Sequence, residues 1–207
     1  MKTLAILLIS FLFTTCVKSH SQYSETKLIG GPCEGCEAIF EYGAKNLKSV
    51  DTLPDFKHME NKLKISGVVY KEDGITPAKD VILYFYHTND KGVYPSKADS
   101  KGWEKRHGYL RGWVKTDTKG KYAIYTSRPA SYPNSSMPQH IHVTVKEPDK
   151  NEYYIDDVFF ADDPNLIPQV KNNKIPRGGS GIITLTGNSL KEGKRDIVLG
   201  LNIPNYY

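Results

Sequence analysis

The chain has 207 residues, of which 39% are hydrophobic and 25% charged, so it holds enough apolar material for the core of one domain. The net charge of +5 is mild, the lysines are scattered and no RNA- or DNA-binding module is recognisable, which argues against a nucleic-acid-binding protein. Fourteen tyrosines, a residue type that favours strands, indicate a β-rich protein.

Residues 1–21 have the pattern of a secretory signal peptide. A basic residue precedes a ten-residue apolar run, which is too short to cross a bilayer core of about 30 Å as a helix. Small residues at Ser19 and Ser21 favour cleavage near that point. Lipid attachment at Cys16 is the alternative, although Thr15 departs from the Gly, Ala or Ser that usually precedes a lipidated cysteine. Both interpretations predict a secreted or periplasmic protein without a stable membrane span.

Cys33 and Cys36 form a Cys-x-x-Cys pair close to the predicted new N-terminus. In an oxidising compartment such a pair predicts a structural disulfide. A thioredoxin-type redox site needs a βαβ setting, which the sequence lacks, and a zinc site needs a second pair of ligands. The pair belongs to residues 22–60, which we interpret as an N-terminal arm, and residues 61–207 are predicted to form one domain.

Short apolar segments separated by turn signals follow along the rest of the chain. The segment 80–86 is apolar on both faces, which predicts a central, buried strand. Asp73-Gly74 predicts a hairpin-type connection before it, and a turn over 117–120 predicts a return strand later. Amphipathic helices are nearly absent, so the pattern predicts an all-β fold, a β-sandwich of mostly antiparallel strands with long active-site loops. The predicted strands span residues 63–70, 80–86, 110–116, 121–126, 139–145, 182–186 and 195–201.

The strand predicted over residues 139–145 carries two histidines. Every second residue from Ile141 to Val145 is apolar and β-branched, and these residues should face a core. His140 and His142 then point to the opposite side, about 7 Å apart at Cα, so that both imidazoles can reach one metal ion. The alternative is a half-exposed strand that carries two histidines without any joint role.

Two tyrosines stand at chain reversals near this strand. Tyr94 follows the predicted central strand in Gly-Val-Tyr-Pro, and Tyr132 precedes the histidines in Pro-Ala-Ser-Tyr-Pro. A phenolate is a hard anionic ligand and imidazole a borderline one, a mixture that suits Fe(III) better than zinc or copper(I). A trivalent cation would lower the phenol pKa of about 10. The other histidines lack ligand-like spacing, and a cluster of carboxylates fits a solvated loop: Asp156, Asp157, Asp162 and Asp163.

An ordered set of motifs lies between about residues 63 and 203, in the segments 67–70, 76–82, 92–94, 111–117, 120–122, 128–133, 138–142 and 159–164. This ordered set resembles the intradiol ring-cleavage dioxygenases, which include catechol and protocatechuate dioxygenases. The Gly-Pro-Cys-x-Gly-Cys pattern resembles small, secreted, single-domain bacterial members.

The resemblance implies an Fe(III) dioxygenase without an organic cofactor. It implies four metal ligands, Tyr94, Tyr132, His140 and His142. The substrates would be a catechol-type ring and O2, and cleavage between the two hydroxylated carbons would give a muconate-type diacid. The resemblance also gives Tyr132 a catalytic role, since the axial phenolate leaves the iron and helps to take a proton.

One feature departs from the resemblance. Well-studied members carry an arginine between the second tyrosine and the first histidine, but residues 133–139 contain none. Arg106, Arg111 or Arg128 is an alternative source of that charge, although the ordinary interpretation of each is a surface or loop residue. Ring cleavage is therefore a weaker expectation than iron binding.

Two other functions stay open on the sequence. One is a transthyretin-like β-sandwich that binds a partner at the cell surface, and the other is an iron-binding family member with little turnover. The pocket wall is expected from the loops 95–109 and 133–139, with Trp103, Tyr109 and Met137 as candidate lining residues. The sequence predicts neither the particular catechol nor the oligomeric state.

Overall fold

The computed structural model describes residues 28–207, so the predicted signal peptide and Cys16 lie outside the described residues. Within that range the chain forms eleven strands, two four-residue α-helices and two 3₁₀ helices, at Cys36–Phe40 and Phe56–His58. The strands and α-helices are β1 (Val50–Thr52), β2 (Lys62–Tyr70), β3 (Ile82–Tyr86), α1 (Glu104–His107), β4 (Arg111–Lys115), β5 (Lys121–Ser127), β6 (His140–Lys146), β7 (Tyr153–Tyr154), β8 (Val158–Phe160), α2 (Pro168–Lys171), β9 (Ile182–Ile183), β10 (Lys191–Lys194) and β11 (Ile197–Val198).

The strands form two sheets packed as a sandwich, which confirms the predicted fold class. The first sheet has the order β1-β5-β2-β10, and β11 also pairs with β2. The second has the order β4-β3-β6-β8-β9, and β7 also pairs with β6. The central pairs β2–β5, β3–β4 and β3–β6 are antiparallel. Four parallel pairs, β1–β5, β10–β2, β11–β2 and β8–β9, make both sheets mixed.

Two predicted turns connect strands of opposite sheets. The Asp73-Gly74 turn leads from β2 in the first sheet to β3 in the second, and the 117–120 turn leads from β4 to β5. The predicted hairpin-type connection is confirmed at the turn itself, where the amide of Lys71 donates to the carbonyl oxygen of Thr76 over 2.7 Å and Tyr70 and Pro77 form an antiparallel bridge. The return strand is confirmed as β5, but beyond the turns β3 and β5 pair with other strands. Turn residues specify a chain reversal, whereas the pairing partner depends on which apolar faces meet across the core. Leu63 of β2 and Leu83 of β3 meet in that core instead of pairing.

The main core lies between the sheets and confirms the facing predicted for β6. Ile141, Val143 and Val145 are at most 1% exposed and belong to this core. The predicted central strand is also confirmed, because β3 lies between β4 and β6. Phe85 of β3 faces the core, and Tyr84 faces the outer side of the sheet and is equally buried.

The outer side of the second sheet is covered by the described part of the predicted N-terminal arm. Ala38 and Ile39, from the first 3₁₀ helix, pack with Tyr84 and Trp113 in a second apolar cluster. Burying each large side chain of this kind contributes about 1.5–3 kcal/mol. The arm is thus an integrated layer that covers part of the face on which His140 and His142 lie. In the described range no helix has the length and apolar character needed to cross a membrane.

His87, at the end of β3, is a fully buried core histidine. Its Nδ1 lies 2.7 Å from the carbonyl oxygen of Thr88 and its Nε2 lies 2.6 Å from Oγ1 of Thr126. Burial lowers the pKa of His87 to about 4, against the opposing effect of the Thr88 hydrogen bond. The unfolded chain, whose histidines titrate near 6.5, therefore binds more protons than the folded chain between those two pH values.

We expect the free energy of unfolding to fall as the pH drops from about 6.5 towards 4. Between these pH values His87 alone changes the free energy of unfolding by at most about 1.4 kcal/mol per pH unit. Above about pH 6.5 its full contribution to stability is present. Urea unfolding at pH 7.5 and pH 5 measures the difference. The difference should shrink in His87→Gln and persist in His58→Gln, which changes an exposed histidine. An equal pH dependence in both variants would contradict this assignment.

Candidate metal centre

The two histidines of β6 present the same ring nitrogen, Nε2, to the tyrosines. His140 Nδ1 lies 2.7 Å from the carbonyl oxygen of Pro138, and His142 Nδ1 lies 3.0 Å from Oδ1 of Asp157. A hydrogen on Nδ1 satisfies both acceptors and leaves the lone pair of each ring on Nε2, the arrangement of a metal-ligating histidine. The alternating strand supplies this common orientation, because residues two apart share a face.

The tyrosine oxygens meet these nitrogens in one cluster. Tyr94 Oη lies 2.6 Å from Tyr132 Oη and 2.8 Å from His142 Nε2. Tyr132 Oη lies 3.1 Å from His140 Nε2 and 3.5 Å from His142 Nε2. The structure therefore brings together all four residues that the sequence analysis proposed as ligands.

These spacings suit four ligands of one ion. Atoms held about 2.0–2.2 Å from one first-row metal lie roughly 2.8–3.8 Å apart when the angles at the metal are between 90° and 120°. The four separations just given span nearly the same range. Two phenol oxygens with two imidazole nitrogens also match the hard and borderline ligands that Fe(III) accepts. The residues present therefore fit a ferric ion.

The loops that carry the tyrosines are packed against each other. The amide of Ala130 donates to the carbonyl oxygen of Asn89 over 3.0 Å, and Thr88 Oγ1 donates to the carbonyl oxygen of Ala130 over 2.7 Å. Gly92 has φ +74°, and a Cβ there would lie 1.9 Å from the carbonyl oxygen of Ser131. Glycine is required at this close approach, which fixes the loop of Tyr94 beside the loop of Tyr132.

The protein environment by itself favours neutral forms of these groups. Burial raises the pKa of Tyr94, and the hydrogen bond and charge of Tyr132 raise it further. Burial also raises the pKa of Tyr132, while the hydrogen bond from Tyr94 opposes the change. Burial and the charge of His142 lower the pKa of His140. A neutral imidazole is ready to bind a metal, whereas the phenols need the charge of a cation to become phenolates.

Asp157 is a site residue that the sequence analysis left in a solvated loop. The β6–β8 ladder pairs His140 with Phe159 and Ile141 with Val158, so continuing the same register sets Asp157 across from His142. Recognising the Val158–Phe160 strand and its register would have predicted this contact. Burial acts to raise the pKa of Asp157, but the charge and hydrogen bond of His142 outweigh it and hold that pKa below its usual range.

Ligand atoms of His140, His142 and Asp157 all lie within 4.8 Å of one another, a spacing that also fits a metal-binding trio. The orientation of the imidazole argues against that trio as the centre. His142 turns Nδ1 to Asp157 and Nε2 to the phenols, so the carboxylate lies on the far side of the ring. His140 Nδ1 is already engaged by Pro138. The two-tyrosine, two-histidine cluster is therefore the better metal centre.

Each arginine considered as a replacement for the missing charge is engaged by a carboxylate. Arg106 pairs with Glu34, and Arg128 pairs with Asp162 over 2.8 Å. Arg111 pairs over 2.6 Å with Glu41, from the N-terminal arm, and it also contacts Glu104. Arg106 and Arg128 thus fit the ordinary interpretation of a surface or loop residue, whereas Arg111 lies on β4 with its side chain only 10% exposed. The charges of all three are already paired, which argues against a charge-supplying role. The segment 133–137, next to the centre, is exposed.

A cavity of about 290 Å³ adjoins His142. One side is the loop Pro32–Cys36, closed by the disulfide between Cys33 and Cys36 that the sequence predicted. The opposite side includes Asp157 and Tyr86, whose ring stacks on His142 at a centroid distance of 4.5 Å. The expected lining residues Trp103, Tyr109 and Met137 do not border this cavity. Of the four candidate ligands this cavity borders only His142, so the wall expected from the loops 95–109 and 133–139 stays a prediction.

The family model described as Dioxygenase matches residues 38–177 of this chain. The chain belongs to the intradiol dioxygenase family. Members of this family use non-haem Fe(III) and act on catechols with O2. The matched range includes all four residues of the candidate centre and begins after the Cys33–Cys36 loop.

Several known proteins of the family are similar to this chain. Chlorocatechol 1,2-dioxygenase of Pseudomonas sp. strain P51 is 28% identical in an alignment 179 residues long, which covers 75% of this chain and 66% of that protein. The structure of catechol 1,2-dioxygenase from Pseudomonas arvilla C-1 matches with a TM-score of 0.56 at 18% identity, over 83% of this chain and 60% of the other. The structure of the dioxygenase domain of a dioxygenase–carbohydrate-binding protein fusion from Streptomyces sp. SirexAA-E matches with a TM-score of 0.54 at 21% identity. This match covers 74% of this chain and 87% of the other. Structural similarity at these identities shows the fold alone.

Proposed function

We propose that this intradiol dioxygenase family member is a non-haem Fe(III) enzyme that cleaves catechol-type rings between the two hydroxylated carbons. The products would be muconate-type diacids containing both atoms of O2. The observation that carries the proposal is the cluster of Tyr94 Oη, Tyr132 Oη, His140 Nε2 and His142 Nε2, with neighbouring atoms 2.6–3.5 Å apart. Family membership supports the same chemistry.

When bound, a ferric ion supplies Lewis acidity, which draws electron density from a chelated catecholate and makes the ring reactive towards O2. His140 and His142 hold fixed positions through their Nδ1 hydrogen bonds. Tyr94 is held by the packed loop at Gly92. Tyr132 would move a proton: its Oη, ionised by the ferric ion, would accept one hydroxyl proton of the incoming catechol, and the second would be released to water.

A catechol that chelates the ion must reach the side of the centre where Tyr94 Oη, Tyr132 Oη and the two Nε2 atoms meet. The cavity beside the Pro32–Cys36 loop borders only His142 of these four residues, and it includes Asp157, which contacts the opposite nitrogen of that ring. The aromatic ring is therefore placed on the phenol side of the centre rather than in that cavity.

Ring-cleavage product analysis with iron-loaded protein tests the proposal. A red-brown tyrosinate-to-iron absorption, O2 uptake with catechol and a cis,cis-muconate product by mass spectrometry are the expected results. A ring opened beside the hydroxylated carbons, or iron-loaded protein without visible absorption, would refute the proposal. A panel of substituted catechols then ranks substrates by kcat/KM.

An iron-binding protein with little turnover is the second candidate function. The missing arginine between Tyr132 and His140 favours it, since the nearby arginines are paired with carboxylates. Coloured protein that takes up no O2 with any catechol would select this candidate over the first.

We also propose that the protein acts outside the cytoplasm. The signal-peptide pattern of residues 1–21 supports this location, and so does the Cys33–Cys36 disulfide, because such bonds persist in oxidising compartments. Isolating the mature protein from the producing cell and sequencing its N-terminus tests the location and distinguishes cleavage near residue 21 from lipidation at Cys16.

A further inference from the structure

The two histidines of the centre have different hydrogen-bond partners. His140 Nδ1 faces the neutral carbonyl of Pro138, whereas His142 Nδ1 faces the carboxylate of Asp157 at 3.0 Å. Asp157 is only 27% exposed at its side chain. A carboxylate that accepts from Nδ1–H fixes the tautomer and orientation of the ring and raises the basicity of Nε2, while a carbonyl does this more weakly. The two imidazoles are therefore unequal donors.

The backbone around Asp157 is held in place by close packing and by hydrogen bonds. A Cβ on Gly181 would lie 1.9 Å from the carbonyl oxygen of Asp157, so β9 approaches this segment as closely as glycine allows. The preceding residue, Asp156, exchanges hydrogen bonds with the backbone of Arg177, each of 3.1 Å. The carboxylate consequently meets His142 from a fixed position.

A buried cation supports the same segment from the opposite sheet. Arg195 is 2% exposed, and its guanidinium donates to the carbonyl oxygen of Asp156. Its Nε and Nη1 have no hydrogen-bond partner among residues 28–207. A buried guanidinium is costly unless negative charge compensates it. The charges of Asp157 and Asp156 act on this guanidinium, so the carboxylate of Asp157 interacts electrostatically with a cation as well as with the imidazole.

We propose that Asp157 is a positioning residue of the metal centre, which acts through His142 and makes it the stronger imidazole donor, with Arg195 anchoring the segment from the core. The inference rests on the proposed ferric centre. It goes beyond that centre because it assigns a partner outside the four ligands. Its consequence is that the charge of Asp157, and not only its shape, sets the iron affinity and the electronic properties of the site.

The Asp157→Asn variant separates charge from shape, because the amide keeps an oxygen that accepts from Nδ1–H. We expect the variant to bind one iron per chain with a dissociation constant raised 10- to 100-fold. Its tyrosinate-to-iron absorption should move to longer wavelength, because a weaker imidazole donor leaves the iron a stronger electron acceptor. For the same reason the Fe(III)/Fe(II) reduction potential should become more positive.

Asp162→Asn is the matched control, since that carboxylate pairs with Arg128 and does not contact the histidines. It should keep the dissociation constant, absorption maximum and potential of the unchanged protein. Asp157→Glu, which restores the charge, should return the absorption maximum towards its original position. If Asp157→Asn does not fold, Asp157→Ser provides the neutral acceptor for the same measurements.

Three outcomes would overturn the inference. An Asp157→Asn protein with unchanged iron affinity and absorption would limit Asp157 to a structural role. A folded variant that binds no iron at all would make Asp157 a direct ligand. If the protein without any substitution binds Fe(III) but shows no tyrosinate absorption, the proposed centre itself is wrong. That result would reject the proposed function, whereas the first two outcomes reject only the role of Asp157.

Discussion

Changing Tyr132 to phenylalanine is expected to lower kcat for catechol cleavage by at least about 100-fold while iron remains bound. The variant removes the hydroxyl that receives a substrate proton, and groups in such roles contribute about 10²–10⁴-fold. His140, His142 and Tyr94 still offer three ligands. A weakened tyrosinate absorption from Tyr94 should therefore persist. Steady-state O2 uptake and the visible spectrum of the iron-loaded variant measure the two effects.

Tyr125→Phe serves as the control, because this tyrosine lies on β5 in the other sheet, where its ring contacts Phe56. It should keep both the colour and the rate. Tyr94→Phe should reduce the colour and also weaken iron binding, since Tyr94 contacts both Tyr132 and His142. Full activity in Tyr132→Phe would disprove its proton-accepting role.

Replacing Gly92 by alanine is expected to disturb stability and iron binding together. The new Cβ would lie 1.9 Å from the carbonyl oxygen of Ser131, so one tyrosine loop must move away from the other. The left-handed backbone adds about 1–2 kcal/mol of strain, and displaced loops bring the total loss of unfolding free energy to roughly 3 kcal/mol or more. Iron affinity should fall at least tenfold, because Tyr94 and Tyr132 follow these loops.

Gly74→Ala isolates the backbone strain for this comparison. Gly74 has φ +68°, close to the +74° of Gly92, but nothing lies within 4 Å of its added Cβ. This variant should lose only about 1–2 kcal/mol and keep its iron affinity. Urea unfolding and iron titration of the two variants make the comparison. Equal losses would show that the contact with Ser131 does not position the tyrosines.

The sequence predicted the strand that carries the histidines and the direction of its side chains. Alternation is a local property, so the buried Ile141 and Val145 were predictable without knowing what covers them. The central position of β3 was predictable for a related reason, since a strand apolar on both faces must be enclosed. Tyr94 and Tyr132 became candidates because they stand at chain reversals near this strand, and the family resemblance then implied that both are ligands.

The pairing of strands was not predictable from the same signals. Asp73-Gly74 and the 117–120 turn reverse the chain, but both lead into the opposite sheet. Partner choice depends on contacts between residues far apart in sequence, which no local pattern contains. The cover supplied by Ile39 was missed for the same reason.

By itself the sequence determined which residue types can bind a metal, the order of the motifs that carry them and the face of β6 on which His140 and His142 lie. These features depend on neighbouring residues and on the two-residue repeat of a strand. Only the tertiary structure decided that each of the four donor atoms lies within 3.5 Å of another of them, that Asp157 faces His142 and that the arm covers part of the same sheet face. Those contacts join segments separated in the chain, and their register and burial are fixed when the two sheets and the arm pack together.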